Sequence, residues 1–188
     1  LIRLYRWMLS ARLLDEAEQR LTQRGEAFFH VGGAGHEGSA ALAEHLIPED
    51  WLHCHYRQRA LLFARGVPFE SFFATIFCKN SSSSRGRQMP GFFSDRELNI
   101  ISMSVPTANN ALQSVGVASA IKNDLHNPIV MCGIGDGGTQ QGEFLEAIAE
   151  AVRSQLPVMF FIEDNGWAIS TETGGKTFWS LPSGRATE

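Results

Sequence analysis

Pro128-Ile129-Val130-Met131-Cys132-Gly133, continued by Ile134-Gly135-Asp136-Gly137-Gly138, and Pro157-Val158-Met159-Phe160-Phe161-Ile162, continued by Glu163-Asp164-Asn165-Gly166, decide the fold. Each is a short apolar run closed by glycine and small polar residues. Runs without polar alternation suit strands of a parallel sheet covered on both faces. Between them, Glu143–Ser154 carries a helical pattern. Strand, helix and strand within residues 128–162 make a βαβ unit with an expected right-handed crossover. The fold class this predicts is α/β, a parallel sheet with flanking helices.

In a βαβ unit both strands end on the same edge of the sheet, where open α/β sheets bind ligands. Asp136 and Asn165 can therefore converge although they are distant in sequence. A carboxylate, an amide oxygen and a nearby backbone carbonyl are hard donors, suited to Mg²⁺ or Ca²⁺ and not to zinc or copper. Glycines beside Asp136 let backbone approach a phosphate, and the helix starting near Gly142 turns its N-terminus toward that edge. The physical reading is a divalent ion bridging a diphosphate to the sheet edge. Gly-Asp-Gly alone is a common turn and Asn-Gly a turn dipeptide; their placement at two neighbouring strand ends makes the pair specific.

Outward from this unit, Ala108–Lys122 reads as a small-residue helix. At the other end, Leu4, Met8, Ala11, Leu14 and Leu21 share one helical face, with Arg3, Arg12, Glu16 and Arg20 left to solvent. A glycine turn, Val31-Gly32-Gly33-Ala34-Gly35, leads to a helix over Ser39–Leu46. Residues 51–57 read as an extended piece or loop. Helices follow over Gln58–Arg65, stopped by Gly66, and over Phe69–Cys78, with Pro68 in its first turn. Phe69, Phe72, Phe73 and Phe77 read as core. Residues 79–96, with four serines and Arg85-Gly86-Arg87, form a loop. Its Met89, Pro90, Phe92 and Phe93 would be a liability if bare, so the loop is expected against another chain.

Bulk properties narrow the function classes. The 188 residues are 44% hydrophobic and 19% charged, a globular composition. A formal net charge of −4 gives nucleic-acid binding no electrostatic support. Cys54, Cys78 and Cys132 have no metal-ligand spacing and read as reduced thiols of a cytosolic or matrix-like compartment. No apolar run has the length of a membrane helix, and no signal peptide stands at Leu1. The sequence runs out at Ala186-Thr187-Glu188 without a closing element, so a single domain over residues 1–188, truncated at its C-terminus, is expected.

The Gly135-Asp136-Gly137 and Asn165 pair resembles the thiamine diphosphate motif. Further stretches resemble the alpha subunits of 2-oxoacid dehydrogenases of the pyruvate and branched-chain kind, or the alpha half of a fused chain. They are Gly35-His36-Glu37-Gly38, Tyr56-Arg57, Ala64-Arg65-Gly66, Gly86-Arg87-Gln88-Met89-Pro90, and Phe160-Phe161 with Asn165-Gly166-Trp167-Ala168-Ile169-Ser170. The resemblance implies a thiamine diphosphate-binding fold and oxidative decarboxylation of a 2-oxoacid with acyl transfer to a lipoyl acceptor. It implies that Asp136, the Asn165 side chain and the Trp167 carbonyl hold Mg²⁺. His55, Tyr56 and Arg57 would hold the diphosphate, Arg57 through paired hydrogen bonds, and the amides of Gly137 and Gly138 would add contacts. Val105 and Thr107, in Ser104-Val105-Pro106-Thr107, would support the bent cofactor. His30 falls near a position lining the substrate pocket of relatives and is the candidate catalytic residue. The implied partners are a beta subunit or beta half, giving a heterotetramer, and a lipoyl-bearing acyltransferase. The implied location is the bacterial cytoplasm or the mitochondrial matrix.

Several positions depart from the family's pattern. Asp164 replaces the first of two asparagines and is expected to turn away into a structural hydrogen bond. His55 stands where branched-chain relatives carry glutamine. Relatives use the loop at residues 104–107 and the residues after it, here Asn109 and Asn110, for a potassium ion, and Val105 and Thr107 weaken that assignment here. An acetoin-type or transketolase-like enzyme would share the metal motif, although Gly86-Arg87-Gln88-Met89-Pro90 favours the dehydrogenase. A non-catalytic partner subunit is the reading from outside enzymes; Arg57, Asp136 and Asn165 together speak against it.

Overall fold

The computed structural model describes residues 1–180, so the end at Ala186-Thr187-Glu188 lies outside the described residues. The chain forms two compact units, Leu1–Asp50 with Tyr56–Met103, and Trp51–His55 with Ser104–Glu188.

The first unit is built on helices. Strong helix formers give α1 (Ile2–Gln23), and Gly25 follows it at φ +73. This helix buries Ala11 and Leu14 as its pattern predicts, and with them Asp15 and Glu18. Residues 37–44 form a 3-10 helix, Glu37–Glu44, where an α-helix over Ser39–Leu46 was expected. Gly38 and Ser39 in its first turn are weak α-formers. Helix α2 (Arg59–Arg65) ends on Gly66 in the left-handed region at φ +110, as a C-terminal glycine should. Helix α3 (Phe69–Ile76) follows Pro68.

The rings of Phe63 and Phe93 each pack on Phe72 with centroids 4.6 Å apart. Phe72 is buried, Phe73 and Phe77 are half-buried, and Phe69 is 43% exposed, so the expected aromatic core is real but incomplete. Phe92 and Phe93 are buried within this same unit, Phe92 stacked on Tyr56 at 5.8 Å. The loop therefore hides its aromatic rings inside its own unit, and those rings need no second chain to cover them.

The second unit carries the sheet. Strands β1 (Trp51–His53), β2 (Val130–Gly135) and β3 (Val158–Glu163) are all parallel, in that order. The register sets Trp51 beside Val130, Val130 beside Val158, and Gly135 beside Glu163. Residues 51–53 are thus a third strand, and β2 runs two residues past the expected end at Gly133. Helices α4 (Asn109–Ile121) and α5 (Gly142–Arg153) enclose a core with one sheet face. Ala111 and Val115 of α4, Phe144, Ala147 and Ala151 of α5, and Cys132 and Ile134 of β2 meet there; Val158, Phe160 and Ile162 lean on it. Strand β2 is buried through Ile134, but β3 is half-buried along its length and not covered on both faces as its sequence suggested. It is an edge of the three strands, so pairing covers only one of its sides. A hairpin of β4 (Trp167–Ala168) and β5 (Thr171–Glu172) follows. Among the described residues no helix is long and apolar enough to cross a membrane.

Candidate functional site

Asp136 follows β2 immediately, as the first residue of a 3-10 turn, Asp136–Gln140, that precedes α5. Asp164 and Asn165 follow β3. The pairing of Gly135 with Glu163 brings both strand ends to one edge, as the βαβ argument requires. Asp136 is 2% exposed. Its Oδ2 accepts a hydrogen bond from the Thr173 hydroxyl, while its Oδ1 has no hydrogen bond among the described residues. Asn165 Oδ1 accepts from the Trp167 N–H at 2.9 Å, an Asx turn that leaves a lone pair. Asp164 Oδ1 accepts from the Gly166 N–H at 2.9 Å, the structural hydrogen bond expected of it.

The hairpin completes the edge. The Thr173 N–H donates to the Gly166 carbonyl at 2.9 Å, so in the alternation of an antiparallel ladder the next pair, Trp167 with Glu172, is the non-hydrogen-bonded one. The Trp167 carbonyl consequently turns outward from the ladder. Ile169, at the tip, has φ +57 and is fully exposed, a costly conformation for a β-branched residue. A carboxylate oxygen without a hydrogen bond among the described residues, an amide oxygen and an outward carbonyl, on neighbouring segments, are donors of the kind that suits Mg²⁺. Among the described residues no three His, Cys, Asp or Glu side chains gather as a metal cluster, and this set contains a single residue of those types.

The glycines of the turn serve packing as well as access. A Cβ on Gly137 would lie 2.6 Å from that of Ala168, so the missing side chain lets the hairpin seat on the turn. A Cβ on Gly138 would lie 2.9 Å from Ile134 and 3.4 Å from Thr107. A Cβ on Gly135 would meet His55 Nε2 at 3.4 Å. His55 and Thr107 therefore stand at this strand end beside Gly135 and Gly138. Val105 is 58% exposed. Asn110 Nδ2 donates to the Gly133 carbonyl at 2.7 Å, and Asn109 Oδ1 accepts from Gln113 at 2.6 Å. Both asparagines implied for potassium thus have structural partners.

Tyr56, Arg57 and His30 belong to the helical unit. Arg57 donates to the Gly32 carbonyl and lies over the Tyr56 ring at 5.1 Å. His30 Nε2 is 3.0 Å from Asp15 Oδ1, which also accepts the Gly33 N–H at 2.7 Å. Arg59, buried, pairs with Glu18, stands 3.6 Å from Asp15 and donates to the Val31 carbonyl at 3.0 Å. Burial pushes the Glu18 carboxyl above its ordinary value, against the pull of Arg59. In the Gly35-His36-Glu37-Gly38 stretch, burial pushes Glu37 up as well. The bonds from Arg12 and from the Glu37 and Gly35 amides outweigh it and hold the carboxyl low.

Asp15, Glu18, Arg59 and Thr173 were absent from the sequence reading. Asp15 and Glu18 do carry a signal: they continue the apolar face of Ala11 and Leu14 at helical spacing, where an acid needs a partner.

Comparison with known proteins follows the same lines. The dehydrogenase E1 component family matches residues 5–186. The 2-oxoisovalerate dehydrogenase subunit alpha 1 (mitochondrial) of Arabidopsis thaliana is 33% identical over 171 residues, covering 90% of this chain and 36% of its own length. The corresponding alpha subunit of Homo sapiens is 31% identical over 173 residues (92% and 39%), and that of Caenorhabditis elegans 30% over 174 residues (92% and 40%). The chain spans 36% to 40% of the length of these relatives. With the strand-end site, the glycine turn and the hairpin all inside the matched residues, the chain belongs to the dehydrogenase E1 component family.

Proposed function

We propose that this chain is the thiamine diphosphate- and Mg²⁺-gripping part of the alpha component of a 2-oxoacid dehydrogenase, one thiamine diphosphate-binding domain over residues 1–188. The observation that carries the reading is the buried Asp136 carboxylate, with one oxygen held by Thr173 and the other without a hydrogen bond among the described residues, at the sheet edge it shares with Asn165. Asp136 Oδ1, Asn165 Oδ1 and the Trp167 carbonyl are the protein ligands. Tyr56 and Arg57, with the amides of Gly137 and Gly138, would hold the diphosphate, His55 would be a further cofactor contact, and Val105 and Thr107 would support the cofactor. When bound, the cofactor supplies the electron sink for loss of carbon dioxide from a 2-oxoacid.

The chain's own residues bind, orient and neutralise. Arg57 offers a planar, permanently charged donor to phosphate oxygens. Asp136 offsets the charge of the ion that the diphosphate shares. His30, held by Asp15 at 3.0 Å, would be the residue of this chain that lines the substrate pocket. A lipoyl-bearing acyltransferase would be the acyl acceptor, and a beta subunit or beta half would complete the site. The relatives' names place them in mitochondria, and the matrix, or the cytoplasm of a bacterium, is the corresponding location here. The potassium ion is not part of the proposal, because Asn109 and Asn110 have other partners.

The test is a calorimetric titration of thiamine diphosphate with Mg²⁺ against the assembled enzyme. Asp136→Ala is expected to abolish Mg²⁺-dependent binding. Wild-type affinity in that variant would refute the assignment. A second assay, decarboxylation with an artificial electron acceptor, is expected to give no turnover with residues 1–188 alone.

A further inference from the structure

The metal donors stand on two segments, Asp136 on the turn after β2 and Asn165 with Trp167 on the segment after β3. Thr173 touches both. Its hydroxyl donates to Asp136 Oδ2, and its N–H donates to the Gly166 carbonyl at 2.9 Å, between Asn165 and Trp167. Thr173 is 5% exposed and Asp136 2%, so solvent offers neither a ready substitute. A hydroxyl has one hydrogen to give, and here it goes to a carboxylate oxygen. Ala168, seated on Gly137, presses the hairpin against the same turn.

We propose that Thr173 is the positioning residue of the grip, and that by engaging Asp136 Oδ2 it makes the carboxylate a one-oxygen ligand and so selects Mg²⁺ over Ca²⁺. The inference rests on the metal reading given above and deepens it. The physical reason is the difference in what the two ions demand. Mg²⁺ takes six ligands in a tight octahedron and is content with one oxygen from a carboxylate. Ca²⁺ accepts six to eight, often with both oxygens of a carboxylate. A hydroxyl bonded to Oδ2 withholds the second oxygen. The same residue fixes the distance between the two ligand segments, which a small ion tolerates less loosely than a large one. Partners of this kind, one bond removed from the ion, commonly change metal affinity by about 10- to 100-fold when lost.

The experiment uses the assembled enzyme and reads cofactor binding, not turnover: thiamine diphosphate is titrated calorimetrically at a series of Mg²⁺ and, separately, Ca²⁺ concentrations. Thr173→Val keeps the shape and the N–H and removes the hydroxyl. It is expected to raise the Mg²⁺ concentration needed for half-saturation by about 10- to 100-fold and to shift the Ca²⁺ curve much less, so that the preference for Mg²⁺ narrows. Thr173→Ser, which restores the hydroxyl, is expected to follow wild type for both ions; a purely structural role of the threonine methyl would not be rescued this way. Mg²⁺ and Ca²⁺ curves of Thr173→Val that superimpose on wild type overturn the inference and leave the metal reading standing. A wild-type protein that binds no thiamine diphosphate with either ion overturns the metal reading itself. A crystal structure of the wild-type holoenzyme decides the point without any variant. Asp136 on the ion through Oδ1 alone, with Thr173 on Oδ2, is the expected arrangement. Both carboxylate oxygens on the ion, or the Thr173 hydroxyl itself as a ligand, would be the contrary one.

Discussion

The sheet edge at Asp136 and the glycine turn at 31–35 both hold irregular backbone in a fixed shape, and they do it by opposite means. At the sheet edge the devices are mostly local and neutral: Asx turns two residues long, a hairpin with two-residue strands, missing glycine side chains that let backbones touch. At the glycine turn they are remote and charged. Asp15 reaches from α1, and Arg57 and Arg59 reach from the start of α2 and the residues before it to the Gly33 amide and the Gly32 and Val31 carbonyls. The difference teaches where each region is vulnerable. A buried charge that loses its partner is costly to the fold, whereas a displaced turn at the sheet edge costs binding before it costs stability.

The sharpest way to break the comparison is Arg59→Ala. It leaves Glu18 buried beside Asp15 without its arginine partner, and removes a donor from the Val31 carbonyl. Loss of about 3–5 kcal/mol is expected, the range for one partner of a buried ion pair, read from urea unfolding. A loss below about 1 kcal/mol would put the pair with exposed bridges and dissolve the contrast between the two regions.

At the sheet edge the matching change is Gly137→Ala. The new Cβ would lie 2.6 Å from that of Ala168, and alanine has no flexible end to swing away, so the hairpin must shift. Overpacking of this kind costs about 1–3 kcal/mol. The thiamine diphosphate affinity should fall by more than the stability change alone explains, because Asn165 and Trp167 ride on the segment displaced. Gly32→Ala is the control, since its nearest neighbour would be His30 Cε1 at 3.9 Å.

Acidity separates the regions further. The Glu18 carboxyl is raised by burial, against the pull of Arg59, so the folded chain keeps its proton to higher pH than the unfolded chain does. The folded state then binds more protons in that window, and stability falls as pH rises from the ordinary carboxylate value through the raised one. Glu18→Gln removes the titration. The stability difference between wild type and Glu18→Gln, measured by denaturant at closely spaced pH from 4 upward, is expected to move against wild type as pH rises. A flat difference would mean that Arg59 fully offsets the burial.

The same contrast governs what the sequence made legible. The βαβ unit, Asp136 and Asn165 were readable because apolar runs and turn residues mark strand ends, and parallel pairing then fixes which edge they share. Strand β1 was not, because three residues are too few to show a period. Thr173 was hidden for a similar reason: it follows a two-residue strand, and its contact with Asp136 arises only once the hairpin folds back. Asp15 and Glu18 were readable in principle from their place on the face of Ala11 and Leu14. Acids on a helix usually face water, and nothing near them in sequence announces Arg59, forty-one residues beyond Glu18. The overestimate of burial along β3 came from composition, which reports that a strand can be covered and not that neighbours exist to cover it.

The smallest expected effect sets the sheet against the end of a helix through their thiols. Cys132 lies mid-strand in β2, fully buried, with Asn110 Nδ2 3.5 Å from its sulfur, and burial pushes the thiol up to about 11. The reacting species is the thiolate, so at pH 8 only about one Cys132 in a thousand would be ionised even if a reagent reached it. Cys54, just past β1, is also buried. Cys78 is half-buried, just past the end of α3, at φ +50 where the chain leaves the helix. Maleimide at pH 8, followed by peptide mass mapping over time, is expected to mark Cys78 first and alone, and all three thiols at equal rates in denaturant. Labelling of Cys132 at the rate of Cys78 would require β2 to open as readily as a helix end, and a strand that opens so easily could not hold Asp136 at a fixed edge.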